Sequence, residues 1–194
     1  MIDRITLITG NAGKAREYAS LLGIEVAATT MDLIEIQSLD VVKVVERKAE
    51  DAYTRLHRPV LVDDTGLALH AWNGLPGALI AWFLDTVGTR GLLSMADGVA
   101  DRSATVMTAL GYADDTGVRV FTGTVHGILT TEPRGNGGFG YDTVFAPAGA
   151  TLTFAEMSSK QKNAISHRRL AVDALREGLG ISTSENPASA GPRP

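Results

Sequence analysis

The sequence predicts an α/β fold, and three observations carry that prediction. A short β-rich run, Ile5-Thr6-Leu7-Ile8, passes through Thr9-Gly10-Asn11 into a helically periodic segment. A second helical stretch stops before Pro59 and leads straight into Val60-Leu61-Val62, a strand of the buried type. Two long strand-like runs then flank Asp114-Asp115-Thr116-Gly117, which reads as a hairpin connection.

In the first unit, Ala15, Tyr18, Ala19 and Leu22 recur at helical spacing, with Asn11 a fitting N-cap and Gly23 a fitting C-terminal stop. A second strand is expected around Glu25 to Ala28. Val41, Val45, Ala49, Ala52 and Leu56 mark one face of the next helix, whose other side is charged. Proline disfavours helical geometry in the residue before it, so this helix ends ahead of Pro59. The strand Val60 to Val62 is expected to end abruptly in Asp63-Asp64. Turn formers cluster at Asn73-Gly74-Leu75-Pro76-Gly77, ahead of a helix over Ala78 to Leu84 and a shorter one near Leu92. The hairpin strands cover Ala104 to Tyr112 and Val118 to Leu129, a length that suggests a curved sheet. Past the glycine-rich stretch Arg134 to Gly140 come a short strand at Val144-Phe145 and a final helix opening at Ser158-Ser159. Gln161 completes a capping box there, and the helix is expected to end near Gly178 to Gly180. From Ser182 onward there is little hydrophobicity, so the domain is placed at residues 1–181 and residues 182–194 read as a disordered tail.

Composition narrows the function classes. With 194 residues, 44% apolar and 21% charged, the chain can bury a sizeable core in one or two domains. It has no apolar run near the length of a membrane span, and Met1-Ile2-Asp3-Arg4 leads directly into a strand-like segment, so the expectation is a cytoplasmic protein. The lack of cysteine removes disulfides, thiolate metal sites and cysteine nucleophiles together, which leaves oxygen or imidazole ligands and favours hard cations. A net charge of -4 argues against broad attraction to nucleic acid or anionic membrane. A small anionic partner remains open wherever a few cations converge.

Four segments could carry chemistry. Thr9-Gly10-Asn11-Ala12-Gly13-Lys14, between a strand and a helix, sets backbone N–H groups, a hydroxyl, an amide and an ammonium at the positive end of a helix dipole, which suits phosphate. It is not a Walker A loop, because the glycine spacing is too short and Ala15 stands where that motif needs Ser or Thr. A plain strand-to-helix turn with an exposed lysine gives the same pattern. Asp63-Asp64-Thr65-Gly66 puts two carboxylates beside a buried strand, a costly arrangement unless a cation such as magnesium or a hydrogen-bond donor compensates. Successive strand residues face opposite sides, so one acid is expected to enter a cleft and the other to anchor the turn. Glu35 could add a second oxygen ligand, or simply be solvated.

Gly137-Gly138-Phe139-Gly140-Tyr141-Asp142 joins backbone freedom to two aromatics and a carboxylate, which fits a purine stacked on a ring, although glycine-rich hairpins with aromatics are common. On the last helix, Lys162, Ser166 and Arg169 share one face with His167 and Arg168 beside it, a pattern that an ordinary solvated face also gives.

Taken in order, these segments with Val62-Asp63-Asp64-Thr65-Gly66-Leu67 and Gly74-Leu75-Pro76-Gly77 resemble the inosine triphosphate pyrophosphatase family, from about Ile5 to Leu175. Five motifs in the same order at compatible spacing are far more specific than any one alone. The resemblance implies an elongated α/β fold in which a long twisted mixed sheet joins two lobes, with a nucleotide cleft between them, usually as a homodimer. Carried over by position, Thr9, Gly10, Asn11, Ala12, Gly13 and Lys14 would grip the triphosphate, with Lys48 and Thr65 beside it. Glu35 and Asp64 would hold Mg2+, and Asp64 would also activate water. Phe139, Gly140, Tyr141 and Asp142, with Lys162, His167 and Arg168, would form the pocket for the base and adjoining phosphates. Asp63 stands where the family often has glutamate, Tyr141 where some relatives have tryptophan, and Thr143 where proline is common.

The implied reaction is hydrolysis of ITP, dITP or XTP to the monophosphate and pyrophosphate, with no nucleic acid or membrane partner. Two rivals stand beside it: a house-cleaning pyrophosphatase for pyrimidine or modified nucleotides, and a noncatalytic nucleotide-binding module.

Overall fold

The computed structural model describes Ile2 and residues 4–181, so the expected tail at 182–194 lies outside the described residues. The chain order is β1 (Arg4–Ile8), α1 (Ala12–Leu22), β2 (Glu25–Thr29), α2 (Val41–Leu56), β3 (Val60–Leu69), β4 (Pro76–Gly77), α3 (Ile80–Met95), β5 (Ser103–Asp114), β6 (Gly117–Leu129), β7 (Phe145–Pro147), α4 (Ser159–Ile165) and α5 (His167–Leu179). A 3-10 turn at His70–Trp72 separates β3 from β4. One mixed sheet runs in the order β2-β1-β3-β5-β6-β7, with β4 paired to β3. Strands β2, β1 and β3 are parallel and the rest antiparallel, as expected when βαβ units precede a hairpin.

Strands β3, β5 and β6 are long enough to serve two lobes. At one end, alternation along β3 divides the core between the two faces of the sheet. Leu61 joins Tyr18, Leu22, Val172 and Leu175 under α1 and α5, whereas Val60 and Val62 join Val45, Ala49 and Ala52 under α2. At the other end, Leu67 and Leu69 pack with Leu92, Val106, Phe145 and Phe154 beside α3. The expected α/β architecture and mixed sheet are present, and the sheet is not closed.

Two boundaries differ from expectation. Asp63-Asp64 does not end β3, because pairing to β5 continues unbroken from Val60↔Ala113 to Leu69↔Ala104 and this ladder overrides the turn-like Asp-Asp-Thr-Gly composition. The final helix is two helices. Ser166 is extended (ψ 153) and caps α5 by accepting from the Arg169 N–H, so Lys162 and Arg169 do not share one continuous face. The two helices expected around Leu84 and Leu92 are both present within α3, separated by a kink at Gly88, whose φ of 67° is not helical.

Candidate active site

The cleft opens at a gap in the sheet. On one side of β3, β1 pairs only as far as Val62 and β4 begins only at Leu67, so the stretch 63–66 has no strand neighbour there. Side chains from both faces of β3 therefore reach one opening. This corrects the expectation that only one of the two acids could enter the cleft: Asp63, Asp64 and Thr65 all line a cavity of ≈ 770 Å³. Thr9, Gly10, Asn11 and Lys14 border it from the first turn, Glu35 and Lys48 from the loop before α2 and from α2 itself, and Phe139 to Asp142, His167 and Arg168 from the far side. The remaining sequence candidates lie around it. Ala12 is exposed at the start of α1, Gly13 lies against the Phe139 ring, and Lys162 is buried behind the wall.

The first turn folds as its residues dictate, with one difference. Asn11 caps α1, its Oδ1 accepting from the N–H groups of Gly13 (2.9 Å) and Lys14 (3.1 Å), while its own N–H donates to Thr9 Oγ1. Three of the backbone donors that could have met an anion are thus already satisfied. What this turn presents to the cleft as positive charge resides in the Lys14 ammonium.

The adjacent acids have unlike surroundings. Asp63 faces α1 and α5: its Oδ2 lies 2.9 Å from Lys14 Nζ and 3.9 Å from Arg168 Nη2, in charge contacts without hydrogen-bond alignment. Burial alone would raise its pKa, but Lys14 and Arg168 hold it below the ordinary carboxylate value. Asp64 faces α2 and accepts one hydrogen bond, from the Thr65 N–H at 2.9 Å. Burial pushes its pKa up and the more distant Lys48 and Lys14 do not offset this. Lys48 in turn pairs with Glu35 at 2.7 Å; its own burial, which would lower its pKa, is outweighed by Asp64 and Glu35, so it stays protonated.

Deeper in, the charges are closely paired. Lys162 Nζ donates to Asp142 Oδ2 (2.7 Å) and Glu17 Oε1 (2.9 Å), and Arg168 pairs with the other Glu17 oxygen. The Phe139 N–H donates to Asp142 at 2.8 Å, and its ring has Lys162 Nζ at 4.9 Å and the Arg168 guanidinium at 5.3 Å. His167 is 3% exposed, and burial, with Arg168 and Lys162 nearby, drives its pKa well below the usual imidazole value. It is therefore neutral at physiological pH, with Nδ1 on Thr108 Oγ1 and Nε2 3.3 Å from the Tyr141 hydroxyl.

Sequence reasoning missed two of these residues. Glu17 bridges both basic residues of the base-side wall, and its signal was the spacing Lys14 to Glu17, one turn along the same face of α1. Thr108 gave no signal, since a threonine inside a strand is unremarkable until the fold brings α5 onto it.

Metal fit follows from the donors. Among the described residues no group of three or more His, Asp or Glu side chains is placed to hold an ion as a protein cage would. Glu35 and Asp64 supply two hard oxygen donors to one cleft, and among the described residues Asp64 has no cation in contact. That pair fits a hard divalent cation taking its other ligands from phosphate and water.

Fold and site together define a mixed α/β protein with an open interlobe cleft, cationic and acidic at one end and shaped by aromatics and a neutral imidazole at the other. The sequence profile of the Ham1 family matches residues 5–178, and the chain belongs to that family. It is 45% identical over 187 residues to an inosine triphosphate pyrophosphatase of Yarrowia lipolytica, covering 94% of this chain and 98% of that protein. It is 41% identical to a dITP/XTP pyrophosphatase of Hyperthermus butylicus, covering 90% and 94%. The solved Staphylococcus aureus Ham1 protein superimposes with a TM-score of 0.80 at 28% identity, covering 91% of this chain and 98% of that one.

Proposed function

We infer that this protein hydrolyses non-standard purine nucleoside triphosphates, namely ITP, dITP and XTP, to the nucleoside monophosphate and pyrophosphate. The relatives named for these reactions align over nearly the whole chain. The observation that carries the reading is the division of the cleft, with two lysines and an acid that no cation contacts among the described residues at one end and a neutral, buried His167 beside Arg168 at the other.

The triphosphate lies along Lys14 and Lys48, with Thr9, Asn11 and Thr65 beside it. Asp64 takes a proton from a water molecule as that oxygen bonds to the α-phosphorus, and the bond from the α-phosphorus to its bridging oxygen breaks to release pyrophosphate. A divalent ion, Mg2+ in this proposal, held by Glu35 and Asp64, would neutralise phosphate charge and make the α-phosphorus more electrophilic. Lys14 and Lys48 stabilise the charge that grows on the leaving group. Lys48 changes partner in doing so, from Glu35 to phosphate.

Selectivity comes from the base. Hypoxanthine and xanthine present a 6-oxo acceptor where adenine presents an amino donor, so the donors at His167 and Arg168 are satisfied by the first two and left unpaired by ATP. Guanine shares the 6-oxo group, and its rejection requires that the 2-amino group be poorly accommodated. Phe139 offers a ring for stacking, and Gly140, Tyr141 and Asp142 shape the loop around it. The homodimer implied by the resemblance belongs to the same reading; Leu39 and Trp82, 46% and 70% exposed beside one apolar cavity, are side chains an interface would cover. Sedimentation velocity measures that mass directly.

The test is pyrophosphate release from ITP, XTP, GTP and ATP, with magnesium and with EDTA. Turnover should favour ITP and XTP and cease with EDTA. Equal rates on ITP and ATP would refute the base-selection argument, and turnover indifferent to EDTA would remove the metal.

A further inference from the structure

We propose that Thr108 is a positioning residue that fixes His167 in its Nε2–H tautomer, so that the imidazole offers a hydrogen-bond donor to a 6-oxopurine. This rests on the functional reading of the cleft as a site for 6-oxopurine nucleotides.

The partners of one buried hydroxyl decide the tautomer. Thr108 sits in β5, opposite Thr65 on β3 and Gly123 on β6, and is fully buried. Among the described residues its Oγ1 has one hydrogen-bond partner, His167 Nδ1. A neutral imidazole carries one N–H, so the contact has two forms. Were Nδ1 the donor, the threonine O–H would be left buried with no acceptor. With the hydroxyl donating to Nδ1, both groups are satisfied by one bond, and an unfilled oxygen lone pair is the cheaper remainder. The proton of the imidazole then resides on Nε2, which faces the Tyr141 hydroxyl at 3.3 Å. The Tyr141 hydroxyl accepts this N–H in a long contact that a 6-oxo oxygen entering the cleft would replace. The donor-to-acceptor direction thus runs one way, from Thr108 through the imidazole to the cleft wall: Thr108 fixes Nδ1 as the acceptor, and Nε2–H faces Tyr141.

A second feature makes the contact possible. A Cβ at Gly123 would come within 2.1 Å of the His167 carbonyl oxygen and 2.3 Å of the Ala171 nitrogen, so only glycine lets the start of α5 lie directly on β6. That close approach carries the His167 ring across to Thr108 on the neighbouring strand. The charged groups Lys162 and Arg168 are bound in ion pairs around Glu17 and Asp142, and among the described residues none of these groups hydrogen-bonds Nδ1. The tautomer therefore depends on a single hydroxyl.

The experiment uses the whole protein with 15N-labelled imidazoles, the His167 signals being assigned by their loss in H167Q. Long-range proton–nitrogen correlation should place the wild-type proton on Nε2. Thr108→Val keeps the branched shape in a strand and deletes the donor; it should mix the tautomers and lower the ratio of kcat/KM for ITP to that for ATP about tenfold, the scale of one hydrogen bond. Thr108→Ser should keep both the tautomer and the ratio. A wild-type proton on Nδ1, an unchanged ratio in T108V, or an equal loss in T108S would each overturn the assignment, the last because it would mark packing as the cause. Equal wild-type rates on ITP and ATP would instead defeat the functional reading, and the nitrogen spectrum would still decide the tautomer.

Discussion

The two ends of the cleft handle charge in opposite ways. At the inner end every ionised group has a close partner: Lys162 meets Asp142 and Glu17, Arg168 meets Glu17, and Lys162 and Asp142 are about 6% and 5% exposed. At the outer end Glu35 is 59% exposed in its pair with Lys48, and Asp64 has no cation in contact among the described residues. A closely paired network holds shape, whereas a loosely paired one can exchange partners when a polyanion and its counterion arrive. Asp63 and Asp64, neighbours on one strand, fall on either side of this division. The first is held by Lys14 and Arg168, and the second, among the described residues, has only a backbone N–H.

The sharpest break of the comparison is at Asp64. Asp64→Asn should lower kcat about 10³-fold, the range of a lost general base, with the fold intact by circular dichroism. Stability should move the other way. Because burial raises the folded pKa of Asp64, the folded state holds that proton more tightly than the unfolded chain does. Its contribution is thus most favourable below the ordinary carboxylate value and is lost as pH rises through the elevated one. At neutral pH D64N should therefore melt no lower than wild type. A lower melting temperature would mean that the carboxylate stabilises the fold, and would end the distinction drawn between the two acids.

The inner end should respond in stability first. Lys162→Met leaves Asp142 without its cation and removes one partner of Glu17, so urea unfolding should show a loss of about 3–5 kcal/mol, typical of a broken buried pair. A loss under about 1 kcal/mol would place this network among weak surface pairs and dissolve the contrast.

Much of the molecule is legible in its sequence, and the exceptions share a cause. The β1-turn-α1 unit, its Asn11 cap and the β5–β6 hairpin follow from local chemistry: periodicity, capping and turn residues. What the sequence hid is set by contacts distant along the chain. Asp63-Asp64-Thr65-Gly66 has turn composition, but β5 pairs with it as strand. Ser166 fits a helical repeat, yet its hydroxyl caps a new helix and turns His167 and Arg168 inward instead of leaving them on a solvated face. The acids share one cleft because β1 stops at Ile8, opposite Val62, and β4 reaches back only to Gly77, opposite Leu67, a gap no local pattern could announce. The site's residue types could be read locally, and their division of labour could not.

The smallest expected effect sharpens the comparison most, because it separates function from stability at one residue. Glu35→Gln removes an exposed carboxylate whose ion pair is with Lys48, so unfolding free energy should change by no more than about 0.5 kcal/mol. The amide keeps the size and still offers an oxygen, but without charge, and hard divalent cations favour carboxylate oxygen. The magnesium concentration for half-maximal pyrophosphate release should then rise about tenfold, with activity recovering at saturating metal. Such a result would set Glu35 apart from Asp64, where added metal cannot restore a lost proton acceptor. If E35Q instead lost stability and kept its metal dependence, Glu35 would be a structural anchor for Lys48, and the outer end of the cleft would be held by its ion pairs no less firmly than the inner.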